Sequence, residues 1–132
     1  MTLEDISPIL IGMKTILIVE DDEELRQCLM FAIQTSEINI RMASDGVEAW
    51  EIINSEEIDL VITDYRMPKM DGATLSKLIN QKFPEIPIIL ISTYEPRDLK
   101  IDDIIDSFLS KPFDPDILKM KVEAILKIPL FK

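Results

Sequence analysis

The sequence predicts an α/β fold: a single doubly wound, five-stranded parallel sheet with helices on both faces. Three observations predict it. Short aliphatic runs recur along the chain, rich in β-branched residues and too brief for helices. Between them, apolar residues return at helical spacing. Pro, Gly and Asp punctuate the joins. Short aliphatic strands alternating with helices belong to parallel sheets buried on both sides.

The elements follow in order. Residues 15–19, Thr-Ile-Leu-Ile-Val, read as the first strand. A helix over 23–35 presents Leu25, Cys28, Leu29, Ala32 and Ile33 on one apolar face. The second strand, 38–43, is more amphipathic than the first. Ser44 or Asp45 caps the next helix, which runs through Val47, Ala49, Trp50 and Ile53. The third strand closes at Asp64, and a helix over 73–82 buries Leu75, Leu78 and Ile79 until Phe83-Pro84-Glu85 breaks it. The fourth strand, 86–91, is almost purely aliphatic. A last strand covers 108–110. Asp114 as N-cap and Pro115 at the first helical position then open the final helix.

Composition bounds the function. At 132 residues and 47% apolar, the chain suits one folded domain rather than two cores or a disordered segment. No run approaches the roughly 20 apolar residues of a membrane helix. The nearest, 6–19, is interrupted by Pro8, Gly12 and Lys14, and it lacks a signal-peptide pattern. No membrane insertion is expected. A net charge of −11 disfavours DNA or an anionic membrane as direct partner. One cysteine, Cys28, forbids an internal disulfide and suits a reducing, cytoplasmic setting. With no histidine, Ser/His and Cys/His catalysis, imidazole metal ligation and an internal phosphohistidine are all excluded. No internal repeat, low-complexity run or linker is visible, and no output domain is expected within these residues after the last helix.

The chemistry gathers at strand ends. Asp64 closes a buried run and is followed at once by Tyr65-Arg66-Met67-Pro68-Lys69-Met70-Asp71-Gly72, a loop. Open α/β sheets place their ligands at the C-terminal ends of their strands. Glu20-Asp21-Asp22 ends the first strand in the same way. If the two strands are neighbours, several negative charges converge and invite a divalent cation. The bland alternative is that these acids simply favour the positive end of a helix. Asp22 fits that capping role. Asp71-Gly72 reads as turn chemistry rather than as a ligand. Trp50 and the methionines read as packing.

Four motifs in order, each at a strand end, carry a resemblance: Ile-Leu-Ile-Val-Glu-Asp-Asp at 16–22, Asp64 with Met67-Pro68 and Met70-Asp71-Gly72, Ser92, and Lys111-Pro112-Phe113. Over about residues 14–128 the chain resembles the receiver domain of two-component response regulators. The resemblance implies a flavodoxin-like strand order, 2-1-3-4-5. It also implies a phosphoacceptor signalling domain, whose own chemistry is limited to self-catalysed phosphotransfer and autodephosphorylation. A histidine kinase or histidine phosphotransfer protein would donate the phosphoryl group to Asp64. An aspartate can form such an acyl phosphate, and the transfer is mostly positioning and charge neutralisation. Mg2+ would be held by Asp21, Asp64 and the backbone carbonyl of Arg66, with Glu20 acting through water. Lys111 would face the phosphoryl oxygens and Ser92 would donate its hydroxyl. The family places a cis bond between this Lys and Pro112. It also couples the Ser92 position to an aromatic residue on the last strand. Phe108 matches that switch and reads equally as plain core.

The chain departs from the family between Ser92 and Lys111, where it is shorter by about three residues, nearly one helical turn. A short or irregular fourth helix is expected, which unsettles the usual surface for dimerisation or for a downstream protein target. Thr93 stands where a smaller residue is usual. Arg66 and Tyr94 stand where the family tunes dephosphorylation, and a cation and an aromatic there would shield an acyl phosphate from water. Residues 1–13 are expected to be an extension, with apolar Ile6, Ile9, Leu10 and Ile11, and 129–132 a tail. The alternatives are an aspartate-nucleophile Mg2+ phosphohydrolase, a flavin or nucleotide binder, and a non-phosphorylated pseudo-receiver scaffold. The first usually wants a second aspartate where Arg66 stands, the second a phosphate-cradling loop where Glu20-Asp21-Asp22 stands. The third fits poorly with the full set Glu20, Asp21, Asp64, Ser92 and Lys111.

Overall fold

The computed structural model describes residues 13–128. The expected N-terminal extension, Met13 apart, and the expected tail lie outside the described residues. The elements are β1 (Lys14–Val19), α1 (Glu23–Ile33), β2 (Ile38–Ala43), α2 (Gly46–Ser55), β3 (Leu60–Asp64), α3 (Gly72–Lys82), β4 (Ile88–Ser92), β5 (Ser107–Ser110) and α4 (Pro115–Leu126). All strand pairs are parallel and the sheet order is β2-β1-β3-β4-β5, as the resemblance implies.

Period-two alternation explains the two cores. Ile16, Ile18 and Ile62 face one side, where Leu29 and Ile33 of α1 and Leu118 and Val122 of α4 cover them. Leu17, Val19 and Val61 face the other, under Ala49 and Ile53 of α2 and Leu75 and Ile79 of α3. Strands buried on both faces must be aliphatic throughout, which is why they carry no polar alternation. Burying each such side chain contributes roughly 1.5–3 kcal/mol.

Helix starts follow their caps. Asp22, Asp45, Asp71 and Asp114 each accept a backbone N–H of the first turn. Asp45, not Ser44, caps α2. Two further aspartates extend the sheet at its lower end. The Asp59 carboxylate accepts the Thr15 N–H at 2.8 Å while its own N–H donates to the Thr15 carbonyl at 2.8 Å. Asp106 does the same to Ile88, at 2.8 and 2.9 Å.

Three expectations need correction. Helix α1 stops at Ile33 rather than Thr35, and β4 starts at Ile88, because Pro87 cannot donate to the ladder. Cys28 is exposed rather than part of the apolar face. Leu29 and Ile33 are the buried residues of this helix, and Cys28 projects about 100° from Leu29 at 3.6 residues per turn.

The segment between β4 and β5 holds no helix. Residues 96–99 make one helical turn, which ends when the Lys100 N–H donates to Arg97 (3.1 Å) and the Ile101 N–H to Pro96 (3.0 Å). That pair of bonds is the Schellman stop, and Lys100 takes the left-handed conformation it requires, at φ 59°. Ile101 is fully buried and, with Ala73 and Leu90, makes a small third core against which Leu99 and Phe108 pack.

Candidate phosphoacceptor site

The register builds the site. Val19 pairs with Thr63, so β1 and β3 end level and Glu20 emerges beside Asp64. Carboxylate oxygens of Glu20, Asp21 and Asp64 lie within 4.8 Å of one another. Glu20 and Asp64 are buried, and Asp21 is exposed at the rim. Gly72 lets the main chain pack tightly behind Asp64. It opens α3 against the end of β3, and a Cβ there would overlap the Asp64 carbonyl oxygen and stand 3.1 Å from the Tyr65 Cα. Its φ is not positive, so close approach, rather than the turn chemistry expected, explains the glycine.

Glu20 is held at several points. Its N–H donates to the Ala43 carbonyl (3.0 Å), its carbonyl accepts from Arg26 Nη1 (2.8 Å), and its Oε2 accepts the Asp22 N–H (3.0 Å). Its other oxygen, Oε1, is buried without a hydrogen-bond partner. Burial raises the Glu20 pKa to about 7; the Asp22 amide opposes that rise, while the Asp64 charge and the Asp21 side chain add to it.

Lys111, after β5, supplies the positive charge. Its Nζ lies 2.9 Å from Asp64 Oδ1 and 3.8 Å from Glu20 Oε1. The Lys111–Pro112 bond is cis, as the resemblance implies. The Lys111 N–H donates to the Ser92 carbonyl at 3.0 Å, tying this loop to the end of β4. Ser92 is buried, and its Oγ accepts the Tyr94 N–H at 2.8 Å, which leaves the hydroxyl proton available to donate. Asp64, Ser92, Lys111, Arg66 and Tyr94 line one cavity of about 100 Å³.

Arg66 is exposed and its guanidinium donates to the Tyr94 hydroxyl, with the same group 5.3 Å from the Tyr94 ring centroid. The Tyr94 ring meets Tyr65 edge-on, centroids 5.5 Å apart. Thr93 is exposed and lies on the cavity wall. Phe108 is not among the residues that line this cavity; it packs, half-buried, against the third core. Sequence reasoning missed Arg26, since a helix arginine shows its reach only once the loop after β1 is seen to fold back on it.

Three carboxylates with one orphaned buried oxygen fit a hard, oxygen-seeking cation better than they fit a bare pocket. No helix among the described residues is long and apolar enough to cross a membrane.

Fold, strand-end acids and the Lys111 contact define a class: the chain belongs to the response regulator receiver domain family, whose profile matches residues 16–123. Receiver domains are phosphoacceptor signalling domains that take phosphoryl groups from histidine kinases and bind Mg2+ at an acidic pocket. The chain is 31% identical over 120 residues to the alkaline phosphatase synthesis transcriptional regulatory protein PhoP of Bacillus subtilis, covering 86% of this chain and 49% of PhoP. It thus spans about half that relative's length. A chemotaxis protein CheY homolog of Campylobacter jejuni is 30% identical over 118 residues, covering 84% of this chain and 91% of its own length. Among solved structures, the response regulator protein TrrA of Thermotoga maritima, in complex with Mg2+–BeF, superposes with a TM-score of 0.79 at 33% identity. That match covers 86% of this chain and 99% of TrrA.

Proposed function

We propose that Asp64 is the phosphoacceptor of a two-component relay. A histidine kinase or histidine phosphotransfer protein presents a phosphohistidine at the cavity. An Asp64 carboxylate oxygen attacks phosphorus, the P–N bond breaks, and its electron pair returns to the imidazole nitrogen, which is protonated from solvent. The Lys111 ammonium sits where it can neutralise the incoming phosphoryl oxygens. The Ser92 hydroxyl donates to one of them, and Phe108 moves with Ser92 as the switch. Glu20, Asp21, Asp64 and the Arg66 carbonyl would hold Mg2+, which supplies charge neutralisation when bound.

The observation that carries this reading is Lys111 Nζ at 2.9 Å from a buried Asp64 oxygen that faces a small cavity. Arg66 in place of a second aspartate weighs against the phosphohydrolase alternative. The unit that does this is taken as residues 14–128, with 1–13 and 129–132 as flanking segments, acting in the cytoplasm. Its output is a protein contact, through a downstream target or a second copy of the chain. The experiment is Mg2+-dependent incorporation of phosphoryl from acetyl phosphate. Incorporation by the wild type and none by Asp64→Asn is expected; labelling that survives in the variant overturns the assignment.

A further inference from the structure

We infer that Arg26 is a positioning residue for the cation site, acting through the backbone of Glu20. The inference rests on the Mg2+ reading above. Arg26 stands on the first turn of α1 and is half-buried. Its Nη1 donates to the Glu20 carbonyl at 2.8 Å. No ion pair within 4.0 Å engages Arg26 among the described residues, although Glu20, Asp21 and Asp22 lie close in sequence. The guanidinium is therefore spent on a backbone oxygen rather than on a carboxylate.

That choice has a geometric result. Glu20 lies one residue past the end of β1, where the chain leaves the sheet for α1. With the N–H tied to Ala43 and the carbonyl tied to Arg26, the peptide planes on both sides of Glu20 are fixed. The following peptide carries Asp21, so both carboxylates take their direction from this clamp. A partner that orients metal ligands without touching the metal typically changes affinity by roughly 10–100-fold when removed.

The sign of the effect separates positioning from charge. Arg26 is a cation beside a cation site, so by Coulomb's law alone its removal tightens Mg2+ binding. Loss of the clamp loosens it. Arg26→Met keeps the apolar stem and removes donor and charge; Arg26→Ala also shortens the side chain; Arg26→Lys keeps the charge and one donor. Mg2+ affinity is measured by calorimetry on the unphosphorylated chain, with thermal melting to show that each variant is folded. The Mg2+ concentration for half-maximal labelling by acetyl phosphate is measured alongside.

Roughly tenfold weaker Mg2+ binding is expected in whichever of Arg26→Met and Arg26→Ala is folded. The half-maximal Mg2+ concentration should rise in proportion while the plateau rate stays near that of the wild type. Arg26→Lys should recover most of the loss. Unchanged or tighter binding in the folded truncation overturns the inference, as does failure of Lys to recover it. A wild type that does not bind Mg2+ at all overturns instead the cation reading on which it rests.

Discussion

Lys111 Nζ contacts Asp64 at 2.9 Å and stands 3.8 Å from the orphaned Glu20 oxygen, so one ammonium is shared by two buried carboxylates. It partly compensates them, and it occupies the side from which a second cation would be repelled. Lys111→Met should therefore have two opposite effects. Mg2+ binding should tighten, on the order of tenfold, because a like charge next to the ligands is gone. Phosphoryl incorporation should fall, because the ammonium that shares in neutralising the transferred group is gone. Calorimetry and acetyl phosphate labelling read the two separately; weaker Mg2+ binding would show that Lys111 chiefly holds the site's shape.

Glu20 makes the metal-free protein sensitive to pH. Its carboxyl has a pKa of about 7 in the fold against 4.5 in the unfolded chain, so between those values the folded state retains a proton that the unfolded state has lost. Stability is full below the lower value and declines as pH rises through the upper one. In chelator, the melting temperature should thus drop on raising pH from about 4.5 to above 7, and Glu20→Gln should flatten that portion of the curve. Mg2+ should reverse the decline, since it needs the deprotonated carboxylate. An equal slope in wild type and Glu20→Gln would rule Glu20 out as the source.

We propose that the Arg66–Tyr94 contact shields an acyl phosphate on Asp64 from water. Guanidinium and phenol meet above the cavity that holds Asp64, and Tyr65 braces the ring from the side. Arg66→Ala and Tyr94→Ala should each shorten the lifetime of the aspartyl phosphate severalfold. The double variant should add little, because either loss opens the pair. Lifetimes are followed by the decay of radiolabel after removal of donor, and values equal to wild type in both single variants would remove the shielding role.

How much of this was readable beforehand depends on where each residue's signal lies. The aliphatic strands announce themselves because both sheet faces are covered, and the caps do so because an aspartate before a helix has few other local uses. The acids and lysine at strand ends are visible as residue types, and the parallel register brings them together. Cys28 was misplaced because a helical pattern of five apolar residues does not say where its stripe ends. The stop at Lys100 was invisible, since the left-handed position it fills is normally given to glycine or asparagine. Arg26 and the true reason for Gly72 depend on how a loop folds back against the helix that follows it, which hydrophobic periodicity does not encode.

Gly72 offers the sharpest test of how the backbone supports Asp64. A methyl group at this position meets the Asp64 carbonyl oxygen and the Tyr65 Cα, both main-chain atoms that cannot rotate away. Gly72 is also anchored: its N–H donates to the Tyr65 carbonyl at 2.7 Å, and its own carbonyl accepts from Ser76 Oγ at 2.7 Å. Relief must come from moving either α3 or the end of β3. Gly72→Ala should cost about 1–3 kcal/mol in denaturant unfolding, the usual scale of overpacking. It should also reduce phosphoryl incorporation beyond what lost stability explains, because displacing the Asp64 main chain changes its distance to Lys111 Nζ. Saturating Mg2+ should not restore the rate, since reacting geometry rather than metal affinity is altered. A folded Gly72→Ala protein labelled at the wild-type rate would mean that α3 yields and β3 stays, leaving Asp64 supported by the sheet alone.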